Sequence, residues 1–203
     1  MDKFTTLAGA AVPLPIPNID TDQIIPARFL RVPRRDGYAG FLFHDMRRTE
    51  DGAMRQDFPL NQPIYDGASV LVAGDNFGCG SSREGAVYAL LDSGIRCVLA
   101  PSMGDIFFNN CFKNGVLAAR LPPETIATIQ ARLAAQPGLR VAIDLEAQTV
   151  SIGNDSPIGF DVDPLKKACL LRGLDDIALT RQHGSDIAAF EARQAAEQSW
   201  LPR

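Results

Sequence analysis

Residues 69–92 read SVLVAGDNFGCGSSREGAVYALLD, and this stretch predicts a strand, a loop and a helix in succession. The apolar run at 69–73 is typical of a buried strand, and residues 83–92 have the pattern of an amphipathic helix that stops at Gly94. The loop between them carries three glycines within seven positions: Gly74, Gly78 and Gly80. A loop of this kind, between a strand and a helix N-terminus, is where α/β proteins bind anions and substrates.

The same alternation continues towards the C-terminus. The predicted strands cover 97–100, 116–119 and a hairpin formed by LRVAIDL (139–145) and TVSI (149–152). The predicted helices cover 105–113, a segment opened by Pro122 and Pro123, 164–172 and 185–198. Strands that alternate with helices indicate an α/β fold with parallel strands, and the flanking extended segments favour a mixed, partly parallel sheet flanked by helices.

The length and the irregular segments predict one domain over residues 1–203, since 203 residues with 46% hydrophobic content bury one core. Four prolines in the first 26 residues predict extended segments and turns there, with no helix. Residues 27–61 predict a long functional loop with short helices. Residues 164–203 predict a helical C-terminal extension.

Composition excludes several classes of protein. A net charge of −4 argues against general nucleic-acid binding, and no apolar run is long enough to span a membrane. No secretory signal is visible, so we expect a cytoplasmic protein. The four cysteines and two histidines form no close pairs, which predicts reduced thiols and no metal site on this chain. We expect Cys97 and Cys169 to be small buried core residues.

The common motifs of glycine-rich loops do not match this one. A phosphate-binding P-loop needs lysine where Gly80 stands, and a dinucleotide fingerprint needs a small residue where Arg83 stands. A nucleophile elbow needs glycine in place of Glu84.

Ser81 admits two interpretations at this point. Ser81 and Glu84 have the spacing of a capping box, in which the serine only caps the following helix. The density of glycines favours a functional loop instead, because glycine lets backbone N–H groups approach a ligand. Arg83 adds a fork of donors that suits a carboxylate.

An arginine-rich segment points the same way. Residues 28–48 contain six arginines and two aspartates, so this segment carries a net charge of +4 in a chain of net charge −4. Most of these arginines are expected to lie in a solvated loop or on a partner-facing surface, and one or two are candidates to meet a dianionic substrate.

These segments resemble a known family, the small subunits of 3-isopropylmalate dehydratase, which form the swivelling domain of the aconitase superfamily. The resemblance covers nearly the whole chain in the family's order. It rests on NIDTDQIIP (18–26), GDNFGCGSSRE (74–84), APSMGDIFFNNCFKNG (100–115), GLDDIAL (173–179) and SWL (199–201).

The resemblance implies a hydro-lyase that moves a hydroxyl between adjacent carbons of a malate derivative in leucine biosynthesis, and a single swivelling-type domain. It implies that Ser81 is the catalytic base and that Ser82 and Arg83 help to hold substrate and activate the base. It implies that Arg31 sets specificity. The other substrate contacts that we expect are Asp20, Thr21, Asp22, Gly78 and Gly80.

The chemistry needs a second chain. Removal of a proton beside a carboxylate needs charge stabilisation, and loss of hydroxide needs a Lewis acid. The resemblance implies that a [4Fe–4S] cluster is bound by a larger partner protein, the large subunit, and that this chain binds no cofactor.

Two departures from the family pattern leave alternatives open. Gly85 stands where the family commonly has histidine, and Met103-Gly104 stands where it commonly has Phe-Ala. A related hydro-lyase acting on a dimethylmalate, citraconate or homoaconitate type of substrate is one alternative. A non-catalytic, anion-binding regulatory subunit is the other.

Overall fold

A seven-stranded sheet forms the frame of the part of the chain that the computed structural model describes, residues 1–198 and 200. The strands are β1 (Thr6–Leu14), β2 (Val70–Ala73), β3 (Cys97–Ala100), β4 (Leu117–Arg120), β5 (Arg140–Asp144), β6 (Thr149–Ile152) and β7 (Ile158–Gly159). Their order across the sheet is β4-β3-β2-β1-β5-β6-β7.

Strand β1 is where the sheet changes direction. Its second half pairs with β2 in parallel, from Ala11 beside Val70 to Leu14 beside Ala73. Its first half pairs with β5 in antiparallel register. The strands on the side of β2, β3 and β4 are therefore parallel, and those on the side of β5, β6 and β7 are antiparallel. This mixed sheet confirms the predicted fold class.

Eight α-helices lie among the described residues. They are α1 (Thr21–Ile24), α2 (His44–Arg47), α3 (Glu84–Asp92), α4 (Asp105–Lys113), α5 (Pro123–Ala135), α6 (Pro164–Arg172), α7 (Asp176–Thr180) and α8 (Gly184–Glu197). Short 3-10 helices cover Ala27–Arg31, Arg34–Asp36, Ala39–Phe41, Pro59–Asn61, Pro63–Tyr65 and Arg181–His183. Helices α4 and α6 have the predicted bounds, and the segment 27–61 contains the short helices expected of it.

The sheet and its helices bury one contiguous core. Strands β2 and β3 are buried along their whole length, as the apolar runs predict for strands covered on both faces. Helix α5 buries Ile126, Ile129 and Leu133, which share one face at helical spacing, and it packs on β1 and β2.

The structure corrects two expectations. A one-turn helix, α1, does form within the first 26 residues, because Asp20 and Gln23 form a reciprocal capping box around it. Cys169 is only partly buried, whereas Cys97 is fully buried as predicted. Burial raises the pKa of the Cys97 thiol well above its ordinary value, so this thiol stays protonated.

No helix in the described part of the chain is long and apolar enough to cross a bilayer. The segment SWL, which contributed to the resemblance, lies outside the described residues except for Trp200.

Candidate functional site

Three loops meet at the carboxyl edge of the parallel strands. Residues 15–20 follow β1, residues 74–83 follow β2, and residues 101–104 follow β3. Because these strands are parallel neighbours, the three loops leave the sheet on the same side. We call residues 74–83 the glycine loop.

On one side, the glycine loop is bonded to the segment that follows β1. The N–H of Asn18 donates to the carbonyl oxygen of Asp75 at 2.8 Å, and the N–H of Gly78 donates to that of Ile19 at 2.7 Å. The N–H of Thr21 donates to the carbonyl oxygen of Cys79 at 3.0 Å. The two segments predicted to share a site are therefore joined through their backbones.

On the other side, the glycine loop is bonded to the loop after β3. The N–H of Phe77 donates to the carbonyl oxygen of Ser102 at 3.1 Å, and the N–H of Gly104 donates to that of Phe77 at 2.9 Å. The hydroxyl of Ser102 also accepts from the N–H of Asn76 at 2.9 Å. The sequence did not predict this role of Ser102, since it follows from strand pairing and has no local pattern.

Glycine is required at position 78 by both conformation and space. Gly78 has φ of +70°, and a Cβ built there would lie 2.3 Å from the ring of Phe107. Its backbone therefore lies against the aromatic ring at the start of α4. Gly78 was predicted to contact substrate, but it is buried and its N–H is already bonded to Ile19.

The loop ends in the polar residues predicted to carry the chemistry. Ser81 and Ser82 are exposed, and their hydroxyls have no hydrogen-bond partner among the described residues. Helix α3 begins at Glu84 with Arg83 as its N-cap residue, which makes no side-chain cap bond. The capping-box interpretation of Ser81 is therefore wrong, because the serine lies two residues before the N-cap.

The start of α3 has free backbone donors. Within the described residues, the N–H groups of residues 80–83 donate to no acceptor. The positive end of the helix macrodipole lies at the same place. Gly80, with φ of +86° and an exposed backbone, lets the chain turn into this position. The arrangement favours an anion beside Ser81 and Ser82.

Arg83 is held by an acidic residue of the neighbouring segment. One of its terminal nitrogens pairs with a carboxylate oxygen of Asp22, and its side chain is 14% exposed. The hydrogen bond from Arg83 lowers the pKa of the Asp22 carboxyl. The remaining nitrogens of the guanidinium donate to no acceptor in the described residues.

The other residues predicted in the 18–26 segment bond to the protein itself. The carboxylate of Asp20 accepts from the N–H of Gln23 at 2.8 Å and so caps α1. The hydroxyl of Thr21 donates to the carbonyl oxygen of Ser81 at 2.8 Å. The side chains of Asp20 and Thr21 therefore lie at the site, where they are hydrogen-bonded to backbone atoms of α1 and of the glycine loop.

Comparisons with known proteins show the family of the chain. The sequence profile of the aconitase C-terminal domain matches residues 1–124, and that of the C-terminal domain of the 3-isopropylmalate dehydratase small subunit matches residues 176–203. The 3-isopropylmalate dehydratase small subunit of Rhodospirillum centenum is 52% identical over 200 residues, which cover 98% of each chain. This chain belongs to the family of 3-isopropylmalate dehydratase small subunits.

A second small subunit and a crystal structure are also similar to this chain. The small subunit of Roseobacter denitrificans is 51% identical over 201 residues, covering 99% of this chain and all of that protein. The crystal structure of 3-isopropylmalate dehydratase from Methanocaldococcus jannaschii is 27% identical with a TM-score of 0.66, covering 91% of this chain and 98% of that one. The resemblance and the hydro-lyase class inferred from the sequence are confirmed at the level of the family.

The arginine-rich segment of this family member uses most of its arginines internally. Arg28 pairs with Asp45 and lowers the pKa of that carboxyl to about 2, and Arg34 pairs with Asp92. Arg47 is half-buried and donates from Nε to Asn61 at 2.7 Å.

The remaining arginines of the segment are less constrained. Arg48 donates to the carbonyl oxygen of Gly52 at 3.3 Å, and Arg35 lies 3.8 Å from Asp36 with its side chain 86% exposed. Arg31 is exposed and has no hydrogen bond or ion pair to any described residue. Of the six arginines, Arg31 is therefore the one whose guanidinium is wholly available to a ligand.

Gly85, one of the two departures from the family pattern, lies under this segment. A Cβ at Gly85 would lie 2.7 Å from Cδ2 of Leu30 and 3.3 Å from the ring of Tyr38. The absent side chain is what lets Leu30, the neighbour of Arg31, pack directly on the first turn of α3.

A metal ion bound by this chain would need a set of side-chain donors that lie close together. No three side chains of His, Cys, Asp or Glu lie close enough to hold a metal ion in the described part of the chain. The four cysteines are free, and Cys97 and Cys111 are buried. These residues do not fit an iron–sulfur cluster, which is bound by clustered cysteine thiolates.

Proposed function

We propose that this chain, together with a larger iron–sulfur subunit, interconverts 2-isopropylmalate and 3-isopropylmalate by dehydration and rehydration in leucine biosynthesis. The observation that carries the proposal is the position of Ser81, Ser82 and Arg83, which stand at the exposed N-terminus of α3 beside unbonded N–H groups. The names of the family members support the substrate, since they are dehydratases of 3-isopropylmalate.

In this proposal Ser81 removes the proton beside a substrate carboxylate. A serine hydroxyl is a poor base unless its alkoxide is stabilised. The free N–H groups of residues 80–83 and the dipole of α3 favour negative charge at that place. The guanidinium of Arg83 adds a fixed positive charge, and its pairing with Asp22 holds it there.

Arg83 and Ser82 then bind a substrate carboxylate. The fork of an arginine matches the two oxygens of a carboxylate, and the edge not bonded to Asp22 is available for this contact. Gly80, next to them in the chain, is an exposed residue whose N–H donates to no acceptor in the described residues. We propose that these groups orient the substrate so that the proton to be removed faces Ser81.

Arg31 is proposed to select the substrate. It is the free arginine of the segment and adjoins the apolar side chain of Leu30, which is 39% exposed. A cation beside an apolar surface suits a substrate that has both a carboxylate and an alkyl group.

Loss of the hydroxyl group is assigned to the partner. The described side chains do not fit a metal site, so the [4Fe–4S] cluster that would act as Lewis acid belongs in this proposal to the larger subunit. The complete active site would lie between the two subunits, in the cytoplasm.

The experiment is to purify the chain with its large subunit under anaerobic conditions and to assay a panel of malates. We expect the highest kcat/KM for isopropylmalate, and neither bound iron nor turnover in the small subunit alone. A preference for dimethylmalate, citraconate or homoaconitate would assign the chain to a related hydro-lyase. If the complex turned over equally well with Ser81 and Arg83 replaced by alanine, the chain would be a regulatory subunit.

A further inference from the structure

Thr21 is a buried polar residue at the edge of the site. It is 2% exposed, and it is the one polar or charged residue in the buried core of the described chain. It opens helix α1, which the capping box of Asp20 and Gln23 holds in place. A hydroxyl in such a position must find a partner, because burying it without one is costly.

The partner of this hydroxyl is the backbone of the proposed base. Thr21 Oγ1 donates to the carbonyl oxygen of Ser81 at 2.8 Å, across 60 residues of sequence. The N–H of the same threonine donates to the carbonyl oxygen of Cys79 at 3.0 Å. One residue thus holds the glycine loop at two points, on either side of Gly80.

No other hydrogen bond ties the backbone of residues 80–83 to a distant segment in the described chain. Gly80 has φ of +86° and carries no side chain that could fix the loop. In the described chain, the bond from Thr21 is therefore the one hydrogen bond to another segment that holds the Ser81 peptide directly, whereas the pair of Arg83 with Asp22 holds the loop through a side chain two residues further on.

A fixed peptide also fixes the donor that follows it. The carbonyl oxygen of Ser81 and the N–H of Ser82 belong to the same planar trans peptide, so they point in opposite directions. With the carbonyl oxygen turned towards Thr21, the N–H of Ser82 is turned away from α1. Donors fixed before the reaction stabilise developing charge better than donors that must reorient.

We propose that Thr21 is a positioning residue: its buried hydroxyl fixes the Ser81 peptide, and thereby sets the serine hydroxyl and the Ser82 N–H at the substrate. This inference rests on the proposed role of Ser81 as the base. It gives Thr21 a role other than the substrate contact expected from the sequence.

The test compares three substitutions at Thr21 in the full complex with the large subunit: Thr21→Val, Thr21→Ser and Thr21→Ala. Thr21→Val keeps the shape and removes the donor, and Thr21→Ser keeps the donor. We expect Thr21→Val to lower kcat about tenfold to hundredfold, since small misplacements of a catalytic group cost rate. KM of the Thr21→Val complex should change less than about threefold. The Thr21→Ser complex should have a kcat within about threefold of the parent's, because serine keeps the hydroxyl donor.

A double substitution separates positioning from a general effect on the complex. Groups that act as a unit are strongly non-additive, so Thr21→Val should cause a much smaller further loss when Ser81 is already alanine, since only the Ser82 N–H is then left to be displaced. An equal additional loss in that background would overturn the proposal, as would normal kcat in Thr21→Val.

The test must also separate a positioning role of the Thr21 hydroxyl from a role in the folding or assembly of the complex. If Thr21→Val and Thr21→Ala both fail to assemble while Thr21→Ser assembles and turns over normally, the hydroxyl serves folding and the proposal is wrong. Normal turnover by Ser81→Ala would remove the proposed base and this inference with it. Normal turnover by Thr21→Val, with Ser81→Ala inactive, would remove the positioning role alone.

Discussion

The glycine loop and the arginine-rich segment are held mainly by different kinds of contact. Backbone hydrogen bonds run from the glycine loop to the segment after β1 and to the loop after β3. These bonds join backbone atoms and so do not depend on the side chains at most positions of the loop. Gly78 is an exception, since a Cβ there would meet the ring of Phe107, and the Ser81 carbonyl oxygen is held by the side chain of Thr21.

Side chains hold much of the arginine-rich segment. The rings of Phe29 and Phe41 are stacked with their centroids 4.3 Å apart. The N–H of Tyr38 donates to Asp92 at 2.6 Å, and the hydroxyl of Tyr38 donates to the carbonyl oxygen of Val32 at 2.8 Å. The position of Leu30 and Arg31 thus depends on which residues surround them.

This difference suits two different tasks. A loop held mainly by backbone hydrogen bonds, with Thr21 and Asp22 bonded to Ser81 and Arg83, keeps a base and an arginine at fixed places, as a reaction common to all substrates requires. A segment held by side chains changes shape when one residue changes, which is how substrate choice can vary without loss of the reaction. Substitutions in the two regions should therefore affect different kinetic constants.

Ser81→Ala is expected to have the largest effect. Loss of a general base costs about 10²–10⁴-fold in rate, so kcat of the complex should fall by that factor while substrate still binds. The melting temperature should stay close to that of the parent, because the Ser81 hydroxyl has no partner among the described residues. Ser185→Ala, on the exposed helix α8, is the matched control. A variant that melts lower yet turns over normally would give Ser81 a structural role only.

Arg83→Lys should have the next largest effect. Lysine keeps the charge beside Asp22 but loses the two-pronged geometry that binds a carboxylate. We expect kcat/KM to fall about tenfold to hundredfold, which corresponds to the loss of a charged hydrogen bond. Steady-state kinetics at several substrate concentrations would measure it. A complex that tolerates lysine would indicate that only the charge of Arg83 matters.

Arg31→Ala should act mainly on KM, with a smaller effect on kcat. Its guanidinium has no partner in the described chain, so its removal should leave folding unchanged. KM should rise about tenfold or the ranking of alkylmalates should change, with a smaller effect on kcat, because a binding contact has been removed. Arg35→Ala is the control, since that side chain is 86% exposed. If KM and ranking are both unchanged in Arg31→Ala, Arg28 and Arg34 become the candidates.

Gly85→Ala should have the smallest effect on the kinetic constants. It tests the comparison of the two regions most directly, because Gly85 lies in α3, directly after the glycine loop, and contacts Leu30 of the arginine-rich segment. The new Cβ would lie 2.7 Å from Cδ2 of Leu30, the end of a flexible side chain that can turn away. Alanine favours a helix over glycine by about 1 kcal/mol, so the melting temperature should not fall. We expect a shift of a few fold in the ranking of alkylmalates with kcat nearly constant.

A second substitution tests the cause of that shift. Adding Leu30→Ala to Gly85→Ala frees the space again, so the two changes should not be additive, as expected for residues in contact. Strictly additive effects on the ranking would show that the first turn of α3 does not set the position of the arginine-rich segment.

The sequence by itself determined strands β2 to β6, most of the helices and the place of the glycine loop, but it predicted only extended segments where the central strand β1 forms. Apolar runs such as 97–100 and the spacing of Ile126, Ile129 and Leu133 are local patterns, and burial follows them directly. The boundaries differ by about a residue, since α3 begins at Glu84.

The tertiary structure alone decided which residues meet Ser81 and Arg83. The pairing of Asp22 with Arg83 and the bond from Thr21 to Ser81 join segments about 60 residues apart. They exist because β1 and β2 are parallel neighbours, which brings residues 18–22 beside residues 75–83. A hydrogen bond across such a distance leaves no periodicity in the sequence, so the bond from Thr21 to Ser81 could not be predicted before the strands were paired.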